Sequence, residues 1–178
     1  GRGGRRRLDG VGGLWGEGAR EVGAGRTLSR PGDIWQVGGH RRIWGDSTQL
    51  EPDQRLLGTA WAQMVFTDPP YNGPIAGHVG GLGSIRHREF AMASGEMSQP
   101  EFAAFLQSVF GHLAAFSVDG AIHFQCMDWR HVPEILAAGH AAYTELKNNR
   151  VWAKKNGGMG YIDRAQHELG CWLKSGKE

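Results

Sequence analysis

Asp68-Pro69-Pro70-Tyr71 is the stretch of this sequence whose residue types could do chemistry together. A carboxylate stands beside a backbone carbonyl whose direction two prolines restrict, and an aromatic face follows at once. An exocyclic amine on a heteroaromatic ring is a poor nucleophile, because its lone pair is delocalised into the ring. If Asp68 accepts one N–H and the Pro69 carbonyl accepts the other, the nitrogen becomes more tetrahedral. Its lone pair then turns toward an electrophilic methyl group, and holding the two reactants in line supplies the rest. Pro70 shapes the turn, and Tyr71 offers a ring on which an extruded base can stack. Such stacking is worth roughly 1–3 kcal/mol, and a phenyl ring keeps most of it. The plainer alternative is a rigid corner at a strand end. It accounts for the prolines, but not for the acid before them or the aromatic after them.

Several elements must position this tetrad. The residues before it, AQMVFT at 62–67, read as a buried strand. Neither proline can donate to a ladder, so the strand must stop at Asp68. Upstream, DIWQV and RRIWGDS flank a glycine turn and predict a β-hairpin. Thr48 and Glu51 stand at capping-box spacing with Pro52 in the first turn, which predicts a short helix to about Leu57. Residues 72–97 are Gly-rich without a clear period and read as a long loop, a length that usually signals function. Ser98 and Glu101 form a second capping box around Pro100. Phe102, Phe105, Leu106, Val109, Phe110, Leu113 and Phe116 then recur at helical spacing and predict one helix with one apolar face. Asp119-Gly120 reads as a turn into AIHFQC, a second buried strand. A helix around 131–140 comes next, then two strand-like runs, 144–154 and 167–174, separated by the loop 156–164. This order predicts an α/β sheet with crossover helices. Chemistry in such sheets lies beyond the carboxyl ends of the strands, where Asp68 and the loop after Cys126 stand.

Composition narrows the classes. The chain has 178 residues, room for one domain with a core. Residues 1–30 hold ten of the 29 glycines and seven Arg against three acids, without an apolar period. They read as a disordered Gly/Arg-rich leader or linker. The formal charge is +2, yet beyond residue 30 acids outnumber Lys and Arg by two, so the body is no basic nucleic-acid sponge. DNA affinity then has to come from a local patch, from the leader, or from chain outside this sequence. No apolar run reaches membrane-spanning length, and the amino terminus lacks the apolar core of a secretory signal. Cys126 and Cys171 match no zinc or redox spacing, and eight scattered His form no HxxxH or HExxH pair. No metal site is expected, and the thiols read as small buried apolar groups in a reducing cytoplasm.

VFTDPPYN resembles motif IV of the amino-group DNA methyltransferases, the N6-adenine and N4-cytosine enzymes. Residues 31–178 resemble the amino-terminal half of the permuted β-class, in particular the methyltransferase part of ParB-linked proteins. PGDIWQVGGHRRIWGDST is similar to the lead-in strands of that family, AIHFQCMDWRH to a core strand, and NNRVWAKKNGGMGYIDRAQHE to a later hairpin. The resemblance implies a Rossmann-like S-adenosylmethionine-dependent methyltransferase fold, incomplete in this sequence. It implies that Asp68, the Pro69 carbonyl and Tyr71 hold a base flipped out of double-stranded DNA, with Pro70 shaping the turn. Asp46, in the Gly45-Asp46 corner, and Asp68 would contact the cofactor, S-adenosyl-L-methionine. Asp rather than Ser at the first tetrad position leans toward the N6 amine of adenine. N4-cytosine methylation stays open, as does a non-catalytic DNA-binding remnant; methylation of a protein glutamine amide is further away.

The family carries a second motif, Phe-x-Gly-x-Gly on a strand-loop-helix, which in the permuted class lies carboxy-terminal to everything in this sequence. GGLG at 80–83 and GGMG at 157–160 are the available stand-ins, and neither follows a strand and opens a helix. The expectation is therefore a leader over 1–30 and a partial catalytic domain over 31–178. It would not bind the cofactor tightly or methylate DNA unaided, and would be partnered by the missing half or a ParB-like domain in a cytoplasmic, nucleoid-associated setting. Its strand AQMVFT would keep an unpaired edge. For DNA contact the candidates are Asn72 beside the tetrad, His87 and Arg88 in the long loop, and Lys154 and Lys155 before the NGGMG loop. Trp152 reads as core. Arg164, His167 and Glu168 match a pattern of the same family without an assigned chemical role.

Overall fold

The computed structural model describes residues 28–73, 91–155 and 165–177, together with the backbone of Arg5–Arg7. The chain divides into two compact units, Gly1–Ala60 and Trp61–Glu178, a division that falls inside the segment read as one catalytic domain.

In the first unit the expected hairpin forms: β2 (Ile34–Val37) pairs antiparallel with β3 (His40–Ile43), Val37 opposite His40. The two-residue turn starts at Gly38 with φ of +60°, a left-handed conformation that glycine adopts without strain. β1 (Arg5–Arg7) adds to the other side of β2, so the leader expected to be disordered contributes one short strand. A helix follows, α1 (Leu50–Leu57), ending where the sequence predicts but starting at the N-cap Gln49. The expected Thr48–Glu51 capping box does not form. Asp46 Oδ1 accepts both the Thr48 amide (2.9 Å) and the Thr48 hydroxyl (2.7 Å), while Glu51 pairs with Arg55 one turn on (3.2 Å). A nearer acceptor took the cap.

The second unit has mixed α/β content around a mixed four-stranded sheet in the order β4-β5-β7-β6. β4 (Ala62–Thr67) runs parallel to β5 (Ser117–Met127), and α2 (Gln99–Ala115) crosses between them. A 3-10 turn (Trp129–His131) and α3 (Val132–Ala142) lead to the antiparallel pair β6 (Glu145–Ala153) and β7 (His167–Lys174), the latter also antiparallel to β5. The Ser98–Glu101 box opens α2 as expected: the Glu101 carboxylate accepts the Ser98 amide at 2.8 Å. Phe102, Leu106, Val109 and Phe110 of the predicted stripe are buried against Ile135 and Ala138 of α3 and Met127, Cys171 and Leu173 of the sheet. Asp119-Gly120 is not a turn before the strand but lies within β5, where Gly120 has φ of +80° and the pairing with β4 shifts register.

Among the described residues of this unit, the helices cover one face of the sheet. β5 alternates, with Ala121, His123, Gln125 and Met127 buried and the residues between them half-exposed. Among the described residues β4 has one neighbour, β5, and it is not a buried strand: Met64 and Phe66 are 62% and 65% exposed. Their face continues as a ladder of rings, Phe66 to Phe124 (6.3 Å) to Trp172 (4.9 Å), with the Arg150 guanidinium 4.6 Å above Trp172. Trp152, read as core, is 71% exposed because β6 is the opposite edge. No helix among the described residues is long and apolar enough to cross a membrane.

Candidate functional site

Asp68 follows the last residue of β4, so the tetrad leaves the carboxyl end of a parallel strand. That end is anchored from inside. The Ser117 hydroxyl donates to the Leu113 carbonyl at 2.7 Å, and a hydroxyl has only one proton to give. Ser117 Oγ must therefore accept from His123 Nε2 (2.9 Å), which leaves His123 Nδ1 as the acceptor for the Tyr143 hydroxyl (2.8 Å). Tyr143 in turn accepts from Gln125 Nε2 at 3.0 Å, and Gln125 Oε1 accepts from the Thr67 hydroxyl. Each hydrogen bond in this chain has one donor and one acceptor, and the chain ends on the residue before Asp68. Burial holds the His123 imidazole down to about 4, so it stays the neutral Nε2–H form that the chain requires.

Beyond Thr67 the polar groups gather on Tyr71. Its hydroxyl lies against two carboxylates: Asp68 Oδ1 within hydrogen-bond reach, and Glu168 Oε2 at 2.6 Å. The other oxygen of Glu168 pairs with Lys154 Nζ. Burial first, then the hydrogen bonds to Asp68 and Glu168 and their charges, hold the Tyr71 phenol well above its ordinary range, so it is a donor. The same two acids, after burial, push the Cys126 thiol up, while burial does so for Cys171; Cys171 is buried as expected and Cys126 only partly. Pro69 and Pro70 are half-buried, and among the described residues none donates a hydrogen bond to the Pro69 carbonyl. An acid, the Pro69 carbonyl and a tethered aromatic ring therefore follow one another at one strand end. That arrangement can receive an amine bearing two protons.

The other candidates fare differently. Asn72 has φ of +50° and turns its amide inward: Nδ2 donates to the Met97 carbonyl (2.7 Å), and Oδ1 accepts from the Gly95 and Met97 amides (3.1 and 3.2 Å). It closes the loop that the tetrad opens. Lys154, expected at a phosphate, is held by Glu168, and its own amide bonds the Gln166 carbonyl (2.6 Å) at the base of the β6–β7 hairpin. Lys155 is exposed beside it. His87, Arg88, Arg164 and both Gly-rich stand-ins lie outside the described residues. Asp46 is exposed in the first unit with Oδ1 bound to Thr48. The glycine before it has a packing reason, since a Cβ at Gly45 would stand 2.9 Å from the ring of Pro52. The described residues do not themselves form a cradle for S-adenosyl-L-methionine: both Gly-rich segments lie outside them, one between β4 and α2 in sequence and the other between β6 and β7. Among them, no group of three or more His, Cys, Asp or Glu could hold a metal ion.

Glu168 is the side chain at this strand end to which the sequence assigns no role. It meets Tyr71 across 97 residues of chain, and its only local signal is an acid at the start of a strand that is otherwise largely apolar. Compared with known proteins, the sequence matches no family model, and no curated protein aligns with it significantly.

Proposed function

We propose that this chain supplies the amine-accepting side of a DNA methyltransferase acting on the N6 amine of adenine, with a Rossmann-like fold built on the described β4-α2-β5 unit. The observation that carries the reading is the pair at the end of β4: the Asp68 carboxylate and the Tyr71 ring tethered beside it, with the Pro69 carbonyl between them in sequence. An adenine amine donating one proton to Asp68 and the other to Pro69 would have its lone pair freed from the ring, with Tyr71 as the stacking face. S-adenosyl-L-methionine, the methyl donor that the resemblance implies, would find its Gly-rich turn outside the described residues. Preference for adenine over cytosine rests on Asp at position 68. A second reading, a DNA-binding remnant without catalysis, is favoured by one observation: Asp46, the other candidate cofactor contact, directs Oδ1 onto its own helix start. The test is transfer of a labelled methyl group from S-adenosyl-L-methionine to duplex DNA by the longest natural polypeptide carrying this chain, with the modified nucleoside identified by mass. Label on adenine N6 supports the proposal, label on cytosine N4 moves the substrate, and label on neither base favours the remnant.

A further inference from the structure

We infer that Glu168 is a positioning residue that takes over the Tyr71 hydroxyl proton when Asp68 receives the target amine; this rests on the function proposed above. A phenol has one proton to donate, and here two carboxylates face the same oxygen, one just past the end of β4 and one on β7. While the hydroxyl points at Asp68, it draws charge from the carboxylate that must hold the amine. Rotation about the phenolic C–O bond moves the hydrogen bond to Glu168 Oε2, only 2.6 Å away, without breaking the O–H bond or displacing the ring. Asp68 then faces the amine with its full charge, and no buried donor is left unsatisfied. Glu168 suits the task because Lys154 holds its second oxygen and keeps the carboxylate aimed. Lys154 thereby gains a role in the site, one step removed from the chemistry.

Two measurements separate this inference from the reading beneath it. The first uses the 178-residue chain with its three tyrosines labelled at Cζ and followed by NMR at neutral pH, Tyr71→Phe giving the assignment. Glu168→Gln, close in shape, should move the Tyr71 Cζ resonance, because a neutral acceptor has replaced an anionic one at the phenolic hydroxyl. An unchanged Tyr71 resonance would overturn the inference whatever the enzyme does. The second is methyl transfer by the longest natural polypeptide carrying this chain. Glu168→Gln should lower kcat about tenfold and leave KM for DNA within about twofold, whereas a merely structural residue moves neither or both. If Asp68→Ala retains activity while the resonance moves as expected, the methyltransferase reading fails and the proton sharing stands.

Discussion

Tyr71 carries a phenolic proton that two carboxylates can accept, and this changes what a substitution there should do. Stacking alone makes Tyr71→Phe nearly silent, since the ring is kept. With the hydroxyl engaged, Phe removes the shared donor and leaves Asp68 and Glu168 facing each other. The expected outcome is a loss of about tenfold or more in kcat for Tyr71→Phe, with Tyr71→Ala worse still. Activity within twofold of the parent would mean that only the ring matters. His123 makes a second prediction. The unfolded chain takes up the imidazole proton near pH 6.5, while the folded chain resists it down to about 4. The folded pKa is the lower one, so this contribution is full above pH 6.5 and is lost as pH falls toward 4. Across that window it is worth roughly 3 kcal/mol. Denaturant unfolding at pH 7 and pH 4.5 should show a smaller acid loss in His123→Asn than in the parent; equal losses would remove His123 as a source. Neither role was legible in the sequence. Asp68 and Tyr71 were, because adjacent residues report their own chemistry, but of the partners of His123 one, Tyr143, comes from the end of α3, 20 residues away.

At the scale of elements, local rules worked where no third group competed. The Ser98–Glu101 box and the apolar stripe behind it place α2 and its buried face correctly. The equivalent box at Thr48 failed because Asp46, two residues upstream, reaches the same amide and hydroxyl first. The run AQMVFT names a strand but not its exposure, since whether a strand has one neighbour or two is decided by distant segments. Two substitutions follow. Leu106→Ala removes a fully buried side chain from the α2–α3–sheet core, and should cost about 2–5 kcal/mol in denaturant unfolding. Phe66→Lys places a charge on the exposed face of the edge strand. It should leave stability within about 1 kcal/mol while lowering self-association in sedimentation, and unchanged association would show that this edge does not mediate it.

For the whole molecule, charge and fold point the same way. A chain whose body is slightly acidic does not attract DNA in bulk, so the DNA contact proposed above would have to come from specific groups. The α/β class was legible from the order of strand, helix and strand, because a parallel βαβ unit needs a crossover of that length. The boundary after Ala60 was not, since no Pro- or Ser-rich linker marks it. The meeting of Tyr71 with Glu168 depends on the register of β7 against β5, which no local pattern encodes. Everything at the proposed site converges on one carboxylate acting on the geometry of an amine. The measurement that bears on it most directly is single-turnover methyl transfer by Asp68→Ala beside the parent, in the longest natural polypeptide, with DNA affinity measured in parallel. The account predicts that transfer is lost while DNA affinity stays within about threefold, because the carboxylate acts mainly in the transition state. Transfer retained within about tenfold of the parent would contradict it.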